Sequence, residues 1–78
     1  MKLQQIRYFV SAYEERSLTA AAHRENATQS GLSTHIKDLE YRIGAQLFER
    51  TPSGVTPTPV GERFYVHAVA VLRALSEL

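Results

Sequence analysis

Ser33, His35 and Asp38 are the residue types of a nucleophilic triad, and they lie close together in the chain. The surrounding pattern predicts a helix, in which residues two positions apart differ by about 200° around the axis. The serine hydroxyl and the imidazole would therefore face apart, so acyl-transfer chemistry is not expected. A chain of 78 residues with this pattern offers no substrate pocket that we can specify, so we expect no enzymatic activity.

Metal chemistry is the next possibility, because the chain has three histidines, His23, His35 and His67. It has no cysteine, which excludes a thiolate zinc site and a disulfide framework. No close pair of histidines shares a helix face, so we expect neither a metal nor another cofactor. His67 lies beside the apolar stripe of the last predicted helix and is interpreted as an interface or surface residue.

Hydrogen bonding to duplex DNA fits the polar residues better. Four short polar side chains are predicted near the start of one helix, on its outer face, and Lys37 follows them. They are Gln29, Ser30, Ser33 and Thr34. Hydrogen-bond donors and acceptors that are followed by a cationic lysine suit the base edges and phosphates of a major groove. The net charge is only +1, which is weak for a nucleic-acid binder, so the architecture carries this interpretation.

A helix-turn-helix is predicted to position these side chains. Apolar spacing indicates a first helix from Leu3 to Tyr13 and a short second helix from Leu18 to about Arg24. A recognition helix is predicted over Gln29–Arg42, with Gly44 as its left-handed stop. Its buried stripe is formed by Leu32, Ile36, Leu39 and Ile43. The predicted N-caps of the second, third and last helices are Ser17, Thr28 and Thr58.

The remaining sequence predicts a two-stranded wing and a long helix. Ala45–Arg50 alternates apolar and polar residues, a turn over Thr51–Gly54 follows, and Val55–Pro57 can return as a second strand. An ordinary surface loop is the alternative. The last helix is predicted to run to the end of the chain, with an apolar stripe of Val60, Phe64, Ala68, Val71, Leu72, Leu75 and Leu78. So small a domain cannot bury this stripe, so we expect a partner there and a longer full-length protein.

Five segments in register resemble the amino-terminal DNA-binding domain of LysR-type transcriptional regulators, over essentially the whole chain. They are LQQIRYFVSAYEE, SLTAAA, TQSGLSTHIKDLE, IGAQLFERT and GVTPTPVGE. The resemblance implies a mostly α fold: a winged helix-turn-helix over residues 1–57 and a linker helix over 58–78 that pairs two subunits. We therefore expect a homodimer that binds an inverted-repeat operator in double-stranded DNA. An effector-binding domain is expected in the full-length protein but lies outside these residues.

The resemblance matches Thr28, Gln29, Ser30 and Ser33 to the family's DNA-facing recognition-helix residues, and Arg50 to an arginine that commonly meets the phosphate backbone. The residue pattern adds the others. The expected base contacts are Gln29, Ser30, Ser33 and Thr34, and the expected backbone or wing contacts are Thr28, Lys37, Arg50 and Ser53. Five positions depart from the family pattern, among them Ser30, where proline is frequent, and Pro57, where leucine is frequent. Thr34 stands where arginine is frequent, Ser53 where the wing tip often carries a cation, and Glu25 where an apolar residue is usual. These departures weaken the expected wing and backbone contacts, and the sequence offers no physical reason for Glu25.

A helical protein-interaction module that dimerises through its last helix without binding DNA is the alternative function. The weak net charge and Thr34 favour it, whereas the polar outer face and the wing favour DNA. No apolar run approaches the roughly 20 residues of a membrane span. The amino terminus, MKLQQIRYF, lacks a secretory signal. We expect a cytoplasmic protein with no membrane contact.

Overall fold

The computed structural model describes residues 1–78 and contains four helices and one two-stranded sheet. The elements in chain order are α1 (Leu3–Glu15), α2 (Leu18–Arg24), α3 (Gln29–Ile43), β1 (Phe48–Thr51), β2 (Gly54–Pro57) and α4 (Pro59–Ser76). This mostly helical winged helix-turn-helix confirms the predicted fold class. The differences lie at element bounds: α3 continues one residue past Arg42, and α4 ends at Ser76 rather than at the last residue.

The first strand begins at Phe48, later than the alternating pattern predicts. The reason lies in how the chain leaves α3. Gly44 takes the left-handed conformation, with φ of 81°, and the Ala45 N–H still donates to the Glu40 carbonyl across 3.2 Å. The Glu40 carboxylate then accepts the Leu47 N–H at 2.7 Å. Residues 45–47 are therefore held against the end of α3 and do not pair with β2.

Three helices begin where the sequence places their caps, at Ser17, Thr28 and Thr58. Their hydroxyl oxygens accept hydrogen bonds from the backbone N–H groups of Ala20, Gly31 and Gly61, at 3.1, 3.0 and 3.0 Å. Each bond satisfies one of the open donors at a helix start. The Thr58 hydroxyl also donates to the Gln46 carbonyl at 2.7 Å, which ties the start of α4 to the segment before the wing.

The wing is antiparallel, with Phe48 opposite Pro57 and Thr51 opposite Gly54. Its root is fixed to the connection between α1 and α2, because the Val55 N–H donates to the Arg16 carbonyl at 3.1 Å. Gly54 has a φ of 147°, and a Cβ atom there would lie 2.2 Å from the same carbonyl oxygen. Only glycine fits this close approach, so the wing and the helix-turn-helix form one packed unit.

The core lies where α1, α2, α3 and the wing meet. Phe9, Leu32, Leu39 and Leu47 are its largest fully buried apolar side chains. The Phe9 ring packs on Phe48 at a centroid distance of 5.2 Å and meets Phe64 of α4 edge-on at 5.0 Å. One aromatic side chain of α1 therefore contacts both the wing and the last helix.

The last helix packs against its own domain along part of the predicted stripe. Val60, Phe64 and Leu72 are partly buried against the core, and Ala68 is only 2% exposed. This corrects the prediction that Ala68 lies in a dimer interface, because its side chain has no free surface for a second chain. The exposed large apolar residues of α4 and its C-terminal end are Val66, Val71, Leu75 and Leu78. None of the four helices combines the length and hydropathy of a membrane span.

Candidate nucleic-acid interface

The first half of α3 presents polar side chains away from the core. Gln29, Ser30, Thr34 and Lys37 are exposed, and Ser33 is partly buried. The opposite face of the helix is buried through Leu32, Ile36 and Leu39. The periodicity that predicts this division is therefore confirmed, and the predicted base-contacting residues lie on the outer side of the helix.

A buried amide fixes α3 against α1. Gln5 is 2% exposed, and its Nε2 donates to an Asp38 carboxylate oxygen at 2.7 Å while its Oε1 accepts the Lys2 N–H at 3.1 Å. The same Asp38 oxygen accepts a hydrogen bond from Nε of Arg42 at 3.0 Å. These hydrogen bonds, that of Gln5 above all, hold the pKa of Asp38 below its ordinary value. Since buried polar groups need partners, the bond from Gln5 restricts how α3 can rotate on α1.

The structure explains Glu25, for which the sequence offers no reason. Its carboxylate accepts a hydrogen bond from the hydroxyl of Ser11, a buried residue of α1, and lies 3.7 Å from Nε of Arg7. A buried hydroxyl without a partner would cost free energy, so Glu25 satisfies a polar group of the core. The acidic side chain thereby fastens the end of α2 to α1.

Thr19 lies beside the exposed side chains at the start of α3, and no motif in the sequence predicts a DNA contact for it. Its hydroxyl donates to Oε1 of Gln29 at 3.0 Å, across the turn between α2 and α3. This bond orients the carboxamide of Gln29, whose Nε2 has no hydrogen-bond partner within the chain. The position of Thr19 in the first turn of α2 is predictable from the sequence, but only the fold brings that turn beside the start of α3.

Arg50 joins the wing to α3. Its Nη2 donates to the Ser33 hydroxyl at 2.9 Å. The side chain lines two clefts at once. A cleft of about 360 Å³ lies between α3 and β1, with Ser33 and Lys37 on one wall and Glu49 on the other. A second cleft, of about 330 Å³, lies between Arg50, Gln29 and the wing turn.

The wing turn completes the surface. Ser53 is exposed and lines the second cleft with Thr19 and Gln29. The Thr51 hydroxyl donates to the Gly54 carbonyl at 3.2 Å, which holds the turn in shape. We call the resulting continuous surface the polar face, formed by Thr19, Gln29, Ser30, Ser33, Thr34, Lys37, Arg50 and Ser53. Thr28 stands at its edge as the α3 cap.

The residues that suggested a catalytic triad do not contact one another. Ser33 bonds Arg50, Asp38 bonds Gln5, and His35 meets the Tyr8 ring edge-on at 5.5 Å. No cluster of three or more histidine, aspartate or glutamate side chains that could hold a metal ion is present. The polar face is instead a set of hydrogen-bond donors and acceptors with two cations beside them.

Named relatives match almost the whole chain. It is 46% identical over 77 residues to the HTH-type transcriptional regulator BudR of Raoultella terrigena, covering 99% of this chain and 26% of the relative. It is 40% identical over 78 residues to the HTH-type transcriptional regulator BenM of Acinetobacter baylyi, covering 100% and 26%. The chain therefore spans about a quarter of the length of these curated relatives.

Solved structures match equally well. The crystal structure of the BenM DNA-binding domain with catB site 1 DNA superposes with a TM-score of 0.95 at 40% identity, covering 99% of this chain and 86% of that one. The CbnR DNA-binding domain–DNA complex gives a TM-score of 0.95 at 28% identity, covering 99% and 88%. The family described as "Bacterial regulatory helix-turn-helix protein, lysR family" matches residues 3–62. The chain is thus a member of the LysR family of bacterial regulatory helix-turn-helix proteins.

Proposed function

We propose that this chain is the sequence-specific, double-stranded DNA-binding part of a dimeric LysR-type transcription regulator. The observation that carries the proposal is the polar face, in which Arg50 lines the clefts on both sides and joins α3 to the wing. The two DNA complexes that superpose on this chain support it. The proposal assigns the chain no catalytic role and places the protein in the cytoplasm, where bacterial DNA lies.

In this proposal, side chains in the first half of α3 contact the bases. A helix enters a major groove with its N-terminal residues towards the base edges, and a carboxamide can pair with adenine through two hydrogen bonds. Gln29, Ser30 and Thr34 are exposed there, so their side chains are free to reach bases. Ser33 keeps a hydroxyl proton to donate, because it accepts from Arg50 through oxygen.

Phosphate binding falls to the cations beside these residues. Lys37 and Arg50 are both exposed and line the same cleft, where the DNA backbone can pass between α3 and the wing. The Thr28 hydroxyl accepts the Gly31 N–H and keeps its own proton for a phosphate oxygen. Ser53 at the wing turn adds a neutral hydroxyl. Such contacts fix the register of the protein on DNA without reading sequence.

In this proposal, two chains pair through the side of α4 that does not pack against the helix-turn-helix. Val71, Leu75 and Leu78 remain exposed there, and pairing two copies would remove them from water. Two recognition helices held about 34–36 Å apart can enter successive major grooves on one face of DNA, which favours an inverted-repeat site. Since the chain spans about a quarter of its relatives, we propose that an effector-binding domain completes the full-length protein.

Selection of bound sequences from random duplexes tests this function directly. We expect enrichment of an inverted repeat, followed by a salt-dependent mobility shift of that duplex in a gel. A matched control replaces Lys37 and Arg50 with alanine in the same chain, which should remove the shift at moderate salt. If no sequence is enriched and no duplex shifts at low salt, the chain is instead a protein-interaction module.

A further inference from the structure

Two tyrosines stack where α4 meets α1. The rings of Tyr13 and Tyr65 lie parallel, with a centroid distance of 3.8 Å and an interplanar angle of 8°. The Arg16 guanidinium covers the Tyr13 ring at 4.9 Å from its centroid. A parallel stack is one specific geometry, so a change in the angle between α1 and α4 would alter the contact between the two rings. The stack therefore restrains the second turn of α4 against the end of α1.

A charged network extends this contact to α2. The Tyr65 hydroxyl donates to the Glu14 carboxylate, which also lies 2.8 Å from Nη2 of Arg24. Arg24 reaches Glu15 as well, at 3.2 Å. The hydrogen bond from Tyr65, with that from Arg24, lowers the pKa of Glu14, and the same bond to Glu14 raises the pKa of Tyr65. The network thus links side chains of α1, α2 and α4 at one point.

Ala68 and Leu72, about one and two turns farther along α4, also pack against the core, and Tyr65 adds a stacked and hydrogen-bonded restraint nearer the start of the helix. From Tyr65 to Ser76 the helix extends about 16 Å, at about 1.5 Å per residue. A tilt of about 10° at Tyr65 would therefore move the far end of α4 by about 3 Å, from the same helical rise. One base pair advances DNA by about 3.4 Å and rotates it by about 34°, from a turn of 34–36 Å and 10–10.5 base pairs. A small tilt of α4 is thus comparable with one base pair of half-site spacing.

We propose that Tyr65 is a specificity-determining positioning residue. Stacked on Tyr13 and bonded to Glu14, it fixes, together with the packing of Ala68 and Leu72 on the core, the angle at which α4 leaves the helix-turn-helix, and so contributes to the half-site spacing that the dimer accepts. The inference rests on the proposed function, because it needs two DNA-binding domains paired through α4. It adds a residue outside the polar face that selects DNA sites by their spacing and contacts no base.

The angle between α4 and the helix-turn-helix can be tested without DNA. The chain has no cysteine, so His23→Cys on α2 and Ser76→Cys at the end of α4 provide two unique spin-label sites. Labelled chain diluted into excess unlabelled chain reports the distance between labels within one chain. We expect one narrow distribution for this double variant, and a distribution broader by about 3 Å or more when Tyr65→Ala is added, from the displacement given above. Tyr41→Ala is the matched control, since Tyr41 is 86% exposed.

The spacing is tested with duplexes in which two selected half-sites are separated in steps of one base pair. We expect the wild-type chain to prefer one spacing over its neighbours by about tenfold, or about 1.4 kcal/mol. Tyr65→Ala should reduce that preference to about threefold or less, which is below 0.7 kcal/mol by the same conversion. Affinity for a single half-site should stay unchanged. Tyr65→Phe keeps the stack and should give an intermediate preference.

If the Tyr65→Ala variant binds single half-sites as the wild type does and keeps the wild-type spacing preference, the inference is overturned. If Tyr65→Ala does not fold, Tyr65→Phe and Glu14→Gln carry the test: broader spacing in either supports the inference, and wild-type spacing in both overturns it. A wild-type chain that binds no paired half-sites overturns the proposed function instead. In that case the spin-label distances still decide whether Tyr65 helps to fix the angle of α4.

Discussion

Arg50 of the wing and Ser33 of α3 form a hydrogen bond of 2.9 Å between Nη2 and the serine hydroxyl. The guanidinium of β1 therefore lies against the recognition helix and does not extend freely from the wing. Ser33 was predicted to contact bases and Arg50 to contact the backbone, as separate residues. In the folded chain they form one unit, so the wing can position the cation for a phosphate while the helix is held for the bases.

Phosphate contacts are tested first. Lys37→Ala and Arg50→Ala should each weaken binding to every duplex and lower the slope of log affinity against log salt by about 1. The physical reason is that each cation releases counterions from the backbone. The measurement is a salt titration of binding to the selected site and to an unrelated duplex. Arg73→Ala is the matched control, because it removes an exposed arginine of α4 far from the polar face. An unchanged slope in both test variants would place these cations away from DNA.

Base reading by Gln29 is tested by its own removal and by removal of its partner. Gln29→Ala should cost about 1–3 kcal/mol on the preferred site and relax specificity at one position. Thr19→Val removes the hydroxyl that orients the carboxamide and should relax the same position by a smaller factor. Competition among duplexes with single base changes measures both effects. Thr56→Val on β2 is the control. Equal loss on all sequences would mean that Gln29 reads no base.

The wing turn is tested by restoring a cation. Ser53 is exposed at the edge of the second cleft, and its hydroxyl carries no charge. Ser53→Arg should tighten binding, most strongly when A-tracts flank the site, because their narrow minor groove concentrates negative potential. Affinities on duplexes with and without A-tract flanks provide the measurement. Ser76→Arg adds the same charge at the end of α4 and should gain much less. Equal gains in the two variants would show that the wing tip does not approach DNA.

Dimer formation is tested with residues that the domain leaves exposed. Val71 and Leu75 are each 42% exposed, so Val71→Glu with Leu75→Glu should give monomers that keep their helical content. Leu72 is partly buried against the core, so a glutamate there should destabilise the domain as well as separate the chains. Sedimentation and circular dichroism distinguish these effects. Ser76→Glu, a charge added without loss of apolar surface, is the control. A wild-type chain that stays monomeric at high concentration would contradict pairing by this chain.

Stability at acid and alkaline pH should respond to the network that joins Tyr65, Glu14 and Arg24. The pKa of Glu14 is lowered by its bonds to Tyr65 and Arg24, so its contribution is present above about pH 4.3, the ordinary glutamate pKa, and is lost as the pH falls through the lower folded value. The pKa of Tyr65 is raised, so its contribution is present below about pH 10 and is lost as the pH rises through the higher folded value. Urea midpoints from pH 3 to about pH 11 measure both.

Glu14→Gln removes the titrating carboxylate and should flatten the acid side of this profile. It should also reduce the alkaline loss, because the bond to a carboxylate is what raises the pKa of Tyr65. Glu77→Gln, at the exposed end of the chain, is the matched control. An acid profile in Glu14→Gln identical to the wild type would mean that this network does not contribute to stability.

Local features of the fold were predictable from the sequence. The caps at Ser17, Thr28 and Thr58, and the left-handed stop at Gly44, depend on residues within one helical turn. The outer position of Gln29 follows from the spacing of apolar residues on the same helix. Such signals are contained in a short stretch of chain, because the helix geometry that uses them is fixed by local backbone bonds.

Partners that are distant in the chain were decided by the tertiary structure. The pattern of α4 gives an apolar stripe, but the packing of Phe9 and Phe64 determines that Ala68 faces the domain and Val71 remains exposed. Likewise, the acidic side chain at Glu25 is explained only by the fold, because the position of α2 brings it to the buried Ser11 hydroxyl. The periodicity of one helix states which residues share a face, whereas the element that covers that face depends on how the helices and the wing pack together.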